Sequence, residues 1–386
     1  MKIDTPKLTN RDIADLTEWR RVLHAAPNLS GDEAETARRV VSMLGAAGPD
    51  QIIGGLGGHG VAAVFEGAGD GPKVMIRCEL DGLPIEDKAE VAHRSTVEGR
   101  GHLCGHDGHM AICAGVARLL ARERPASGRV VLLFQPAEED GSGAARVLAD
   151  PQFAALRPDY AFALHNLPGL ALGAAAVAEG PMACASRGLR IVLGGRTAHA
   201  SQPETGHSPV PAIARLIDGL AGMGAGDWPQ ARDFARVTVT HVRAGEPAFG
   251  IAPGHGEVWI TLRTQRDERM QALVAEVEEV IRGCADGLAV EITHHDVFRH
   301  STNDADATRI LARAIETEGL VQADIPLPMR WSEDFGLFGD VARSAMFLLG
   351  SGEDCPPLHD GYYDFPDDLI PLGSRVFFRA IKSILG

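Results

Sequence analysis

Apolar residues near the start of the chain recur with a helical period. Ile13, Leu16, Val22 and Leu23 precede a break at Pro27, and Ala37, Val40, Val41 and Leu44 form a second stripe closed by Gly45 and Gly48. Ser30-Gly-Asp-Glu33 has the spacing of a capping box opening that second helix. The pattern then alternates. Short apolar runs at 61–65, 74–78, 130–135 and 160–165 predict buried strands, and 109–122 predicts a helix. Unbroken apolar runs between helices imply a mostly parallel sheet covered on both faces.

Past residue 184 the strands become alternating, at 189–193, 236–242, 257–264 and 289–293, with helices at 209–223 and 268–284. Strand, helix, two strands, helix, strand is the order of a ferredoxin-like sandwich. After 295 the α/β pattern resumes: a helix at 304–318, a strand at 345–349 and a last helix at 372–385. The expected fold class is therefore α/β. A larger domain, with a mostly parallel central sheet, is built from 1–183 and 296–386. A ferredoxin-like α+β domain, 184–295, is inserted into it. No internal repeat or low-complexity segment interrupts this pattern.

Composition narrows the partners. A length of 386 residues allows two compact domains. The formal net charge of -15 opposes nucleic acid or an anionic membrane, which need a basic face, and bound cations would offset part of it. No stretch approaches the roughly 20 apolar residues of a membrane span. The first ten residues are polar and hold no apolar signal core. Six cysteines in so long a chain make no dense disulfide framework, so a reduced, cytoplasmic protein is expected.

Candidate chemistry gathers where strands end. Glu79 and Asp81, in Arg77-Cys-Glu-Leu-Asp-Gly-Leu-Pro84, follow an apolar strand, the place where open α/β sheets bind ligands; an acidic turn closed by Pro84 is the bland alternative. Cys104-Gly-His106 offers a thiolate and an imidazole in a loop made pliable by Gly99, Gly101, Gly105 and Gly108, although Cys104 alone would suit a structural role. His102 and His109 flank it and read as supporting or surface residues, with direct ligation the lesser alternative for each. Glu138 and Glu139 follow the 130–135 strand. Two adjacent buried carboxylates repel unless one takes a proton or a cation intervenes, and a metal lets one bind while the other serves as base. His165 ends the next strand and would by itself be a core histidine. Candidates recurring at strand ends favour a shared site. His359 lies in a turn-rich stretch, Ser332-Glu-Asp-Phe-Gly336 is site wall or plain loop, and His199 sits in a polar loop where it reads equally as an exposed imidazole.

Together these segments resemble the zinc metallopeptidase and amidohydrolase family of aminoacylases, hippurate hydrolase and indole-acetyl-amino-acid hydrolases. The likeness runs from Arg21-Val-Leu-His24 to Asp364-Phe-Pro366 and is nearest the branch with a cysteine ligand. It implies metal ligands at Cys104, His106, Glu139, His165 and His359, a general base at Glu138, a positioning acid at Asp81, and at His199 an imidazole reaching the partner subunit's site. It also implies two divalent ions per subunit, a catalytic domain with a dimerising lid, a homodimer, and an N-acyl amino acid as substrate. Where relatives usually carry Asn in a Phe-Asn-x-Ile-Pro stretch, this chain has Phe249-Gly250-Ile251-Ala252-Pro253, which leaves substrate identity open; Asn28 replaces a usual acidic residue. Arg263, on a lid strand, is a candidate partner for a substrate carboxylate because its fork matches one bidentately.

Soft Cys104 favours zinc, while imidazole and carboxylate also suit Mn, Co or Ni. Three rival readings stand beside the amidase. One is a metallo-carboxypeptidase or dipeptidase. Another is a cysteine hydrolase with Cys104 as nucleophile and His106 as base, which leaves the glutamates idle. The third is a non-catalytic protein that binds metal or an amino acid.

Overall fold

The computed structural model describes residues 6–228 and 230–386; the first half of the polar amino-terminal decapeptide lies outside the described residues. Two compact units emerge. The larger comprises the segment ending at Met182 with Thr302–Ile325 and Asp334–Gly386; the smaller comprises Ala183–Ser301 with Pro326–Glu333. The smaller unit thus extends past residue 295 and takes up a further short segment that the pattern along the chain does not mark.

The larger unit holds a seven-stranded sheet: β1 (Gln51–Leu56), β2 (Gly60–Glu66), β3 (Lys73–Glu79), β4 (Arg129–Gln135), β5 (Tyr160–Pro168), β6 (Ala175–Ala176) and β7 (Arg343–Gly352), in the order β1-β2-β4-β3-β5-β7-β6. The four central strands β4, β3, β5 and β7 run parallel, and the remaining strands pair antiparallel at the edges. Every residue from Val74 to Glu79 and from Val130 to Gln135 is buried, so both sheet faces are covered, as the apolar runs imply. The apolar pattern does not predict β1. Its Gly54-Gly55 and largely exposed edge position deprive it of an apolar signature.

Helix α1 (Asn10–His24) and helix α2 (Ala34–Gly45) bury Leu16 and Leu23, and Val40 and Leu44, while Val22 and Val41 point outward. The capping-box reading of Ser30–Glu33 is corrected. Glu33 stands at the helix start without a side-chain cap, Ser30 Oγ donates to Asp81, and Glu33 Oε1 accepts from Gly31 N and Ala137 N. Long-range polar partners outcompete the local cap. Helix α3 (His106–Arg122) begins three residues earlier than its apolar period suggests and is buried along nearly its whole length. Its Gly108 is required by close approach: a Cβ there would lie 2.3 Å from the Phe365 ring.

In the smaller unit, strands Ala185–Gly194, Ala235–Ala244, His255–Thr264 and Ala289–Phe298 form an antiparallel sheet. The first strand lies between the third and fourth, and the second lies outside the third. Helices Val210–Ala221 and Asp267–Cys284 complete a ferredoxin-like order around their own core of Leu189, Ile191, Leu216, Ile260, Leu273 and Val277. No helix among the described residues is long and apolar enough to cross a membrane.

Candidate metal centre and active site

The carboxyl ends of the parallel strands deliver the site of the larger unit. β3 ends at Glu79, two residues before Asp81; β4 ends one residue before Pro136-Ala-Glu-Glu139; β5 carries His165; and the chain leaving β7 reaches His359. The turn that opens α3 supplies Cys104 and His106. Gly105 between them has φ 90°, and a Cβ there would lie 2.6 Å from Asn166 Oδ1, so only glycine lets the loop close on β5. At the site, two non-glycine residues also have positive φ, Ala137 (φ 52°) just before Glu138, and His359 (φ 67°). Such conformations persist where surrounding contacts enforce them. Ala137 N donates to buried Glu33 at 2.9 Å, which fixes the turn that aims the glutamates.

Six of the expected residues converge. Donor atoms of Cys104, His106 and His165 lie within 4.8 Å of one another, as do those of Cys104, Glu139 and His359, and those of His106, Glu138 and Glu139. Cys104, His106 and Glu139 each belong to two of these sets, so the three sets form one continuous cluster. The separations are 3.5 Å for Cys104 Sγ to His165 Nε2, 3.8 Å for His106 Nε2 to Glu139 Oε1, and 3.7 Å for His359 Nε2 to Glu139 Oε2. Donors sharing one tetrahedral ion at 2.0–2.3 Å stand roughly 3.3–3.8 Å apart. The imidazole–carboxylate distances are too long for hydrogen bonds. His106 Nε2, fully buried, has no hydrogen-bond partner among the described residues, an arrangement that costs about 1–3 kcal/mol unless a cation takes the lone pair. Thiolate, imidazole and carboxylate donors therefore fit divalent cations.

The electrostatics agree. Burial pushes His165 down to about 3 and His106 well below its usual range, so both imidazoles stay neutral and able to donate. Their tautomers are set from behind: His165 Nδ1 donates to Asn166 O at 2.8 Å, and His106 Nδ1 donates to Asp81 O at 2.8 Å. Asp81 also accepts from Glu139 N at 3.0 Å and Ser30 Oγ at 2.7 Å. Burial raises it to about 6 against the pull of those donors.

The other expected residues fall in the smaller unit. His199 is exposed on a two-residue strand paired with Ile251–Ala252, its Nδ1 2.8 Å from Ser201 Oγ. Half-buried Arg263 donates from Nη1 to Arg330 O and Ser332 Oγ. Within the larger unit, the imidazole meeting Cys104 is His165, which weakens the pairing of a Cys104 nucleophile with a His106 base.

The chain is similar to characterised proteins over most of its length. A sequence profile of Peptidase family M20/M25/M40 matches residues 75–383. The chain belongs to that family. N-acetylcysteine deacetylase of Bacillus subtilis (strain 168) is 33% identical over 277 residues, 72% of each chain. Hippurate hydrolase of Campylobacter jejuni is 28% identical, covering 94% of this chain and 95% of that one. Among solved structures, the Bacillus subtilis YXEP protein, described as a dinuclear metal binding peptidase from the M20 family, superposes with a TM-score of 0.79 at 27% identity, covering 98% of this chain and 99% of that chain. This chain is an M20-family amidohydrolase with an α/β fold.

Sequence reasoning misses much of what surrounds the donors. Both ring nitrogens of His109 have close partners, Nδ1 at 2.6 Å from Glu79 Oε2 and Nε2 at 2.6 Å from Asn166 Oδ1, and with Glu79 and His106 it forms a further group whose donor atoms lie within 4.8 Å of one another. Asn166 and Tyr363 carry no signal of their own, although each follows an expected ligand closely in sequence. Behind α3, Arg20 and His24 pair with Asp107, the residue after His106.

Proposed function

We propose that this M20 amidohydrolase cleaves the amide bond of an N-acyl amino acid, releasing the acid and the free amino acid. The observation that carries the reading is the division of labour between adjacent glutamates. The two oxygens of Glu139 face His106 and His359 respectively, while Glu138, buried and 3.9 Å from His106 Nε2, faces the same space from the side. Cys104, His106, Glu139, His165 and His359 would hold two divalent ions, zinc first because of the thiolate, with Mn, Co or Ni also suited. Bound ions supply Lewis acidity and lower the pKa of water towards ~7.

The protein's own groups then have distinct tasks. Glu138 accepts the proton of the attacking water on its carboxylate and returns it to the leaving amine. Asp81 fixes His106 through its main-chain oxygen and the Glu139 backbone through its carboxylate. Arg263 is assigned to the substrate carboxylate. In a homodimer formed through the smaller unit, His199 donates to the oxyanion developing in the partner's site. The chain works in the cytoplasm, where thiols such as its six free cysteines stay reduced.

A panel of N-acyl amino acids, with acyl group and amino acid varied independently and free dipeptides as the contrast, tests this reading before and after chelation. Turnover of N-acyl substrates that is lost on chelation and restored by zinc is expected. Hydrolysis of dipeptides alone would move the assignment to a dipeptidase, and activity indifferent to chelation would remove the metals from the chemistry.

A further inference from the structure

Three segments that bring donors to the metal centre, α3, β5 and the loop after β7, each contribute a buried polar residue to a single chain of hydrogen bonds behind it, which starts on β3. Arg77, on β3, pairs with Glu79 and, at 2.5 Å, with Asp334. Glu79 meets His109 Nδ1 at 2.6 Å, one helical turn beyond His106. His109 Nε2 meets Asn166 Oδ1 at 2.6 Å, beside His165. Asn166 Nδ2 donates to the Tyr363 hydroxyl at 2.5 Å, four residues beyond His359. Glu79, His109, Asn166 and Tyr363 are all essentially inaccessible to water. Burial alone would raise Glu79, but Arg77 and the neighbouring histidines outweigh it, so its carboxylate is held well below the usual range. The chain is therefore anchored at a fixed charge.

None of these residues is among the five assigned ligands, although donor atoms of Glu79 and His109 lie within 4.8 Å of one on His106, and both Asn166 and His109 bear on ligands directly. The Asn166 amide packs on the Gly105 backbone between Cys104 and His106, and its main-chain oxygen fixes the His165 tautomer. The His109 ring lies with centroids 5.6 Å from His106 and 5.0 Å from His165.

We infer that His109 and Asn166 are positioning residues that hold the Cys104–His106 turn, His165 and the His359 loop at metal-binding separations, acting as one unit rather than as independent packing residues. The inference rests on the reading of the site as a metal centre. Supporting partners of metal ligands typically account for 10–100-fold in metal affinity.

The test is zinc affinity of the full chain, by competition with a chelator of known affinity, alongside circular dichroism of the metal-free protein. Asn166→Leu and His109→Leu should each weaken zinc about 10–100-fold while the metal-free fold is kept. The double variant should be less than about 3-fold weaker than either single, because one break already opens the chain. His109→Gln, which keeps a donor for Glu79, should recover much of the loss. If a leucine variant fails to fold, Tyr363→Phe, which removes one hydroxyl from the chain's end, takes its place; weaker zinc binding supports the inference, and unchanged binding overturns it. His165→Ala separates the two claims. Zinc lost from His165→Ala but kept in full by the leucine variants would overturn the positioning role and leave the metal centre standing. Independent, additive losses would reduce the chain to ordinary packing. Absence of zinc from the wild-type protein would overturn the metal centre itself.

Discussion

Glu138, His106 and His165 in the larger unit and His199 in the smaller are all candidate reacting groups, yet their surroundings are opposite. The first three are buried among thiol, imidazole and carboxylate groups whose donor atoms crowd within 4.8 Å of one another, an arrangement that suits a cation. His199 is exposed, on a two-residue ribbon, with Ser201 as its polar neighbour. Nothing within its own unit demands an imidazole there. The buried group is defined by what the chain does to itself. The exposed one acquires a role only through something that comes to it, and for that reason its assignment rests on family likeness.

The larger unit has exposed ion pairs such as Arg38–Glu35 and Arg309–Asp306, but it also holds a buried one. In the larger unit Arg20, His24 and Asp107 are buried together, whereas Arg243–Glu246 and Arg282–Glu278 of the smaller unit lie mostly in solvent. Buried pairs are costly to break, about 3–5 kcal/mol when one partner is removed, and exposed pairs contribute under about 1 kcal/mol.

Three changes sharpen the contrast, in descending size. Glu138→Gln keeps the shape of the side chain but cannot take a proton from water, so turnover should fall on the order of 10²–10⁴-fold with metal content unchanged. Metal lost instead, measured on the same sample, would exchange the roles of Glu138 and Glu139. His199→Ala should leave metal and fold intact and lower turnover by about 10²–10³-fold, the usual loss of an oxyanion donor. Mixed with Glu138→Gln subunits it should regain activity, since one site of the mixed dimer combines a sound catalytic unit with a sound partner. No regain, with subunit exchange demonstrated, would return His199 to a local role.

The third change is in pH. Burial alone would lower His24, but the Asp107 and Asp87 carboxylates outweigh it and hold it at about 9, above the 6.5 of an unfolded histidine. A raised pKa stabilises the fold fully below pH 6.5 and loses that contribution as pH rises through 9, on the order of 3 kcal/mol in total. Hydrogen exchange followed across this range should show the larger unit opening more readily while the smaller unit changes little. Equal change in both units would argue that the buried cluster has no such linkage.

How much is legible in the sequence follows the same division. The parallel strands are readable because burial on both faces writes unbroken apolar runs, and the candidate donors Glu138, Glu139 and His165 stand out because they fall at or just after strand ends. β1 is hidden by Gly54 and Gly55, and the start of α3 by polar residues that serve the site instead of the helical stripe. Ser30 and Glu33 match a local capping pattern, yet their partners Asp81 and Ala137 lie far along the chain. Asn166 and His109 meet across 57 residues, and Asn166 and Tyr363 across 197; no local period records such contacts.

The central claim is that five donors, with Cys104, His106 and Glu139 each shared between two sets, hold two ions. Metal equivalents per chain, counted by mass spectrometry on the wild-type protein, Cys104→Ala and His165→Ala after equilibration with zinc, test it directly. The account predicts two equivalents in the wild type and fewer in each variant. Two equivalents retained in either variant, or fewer than two in the wild type, would contradict it.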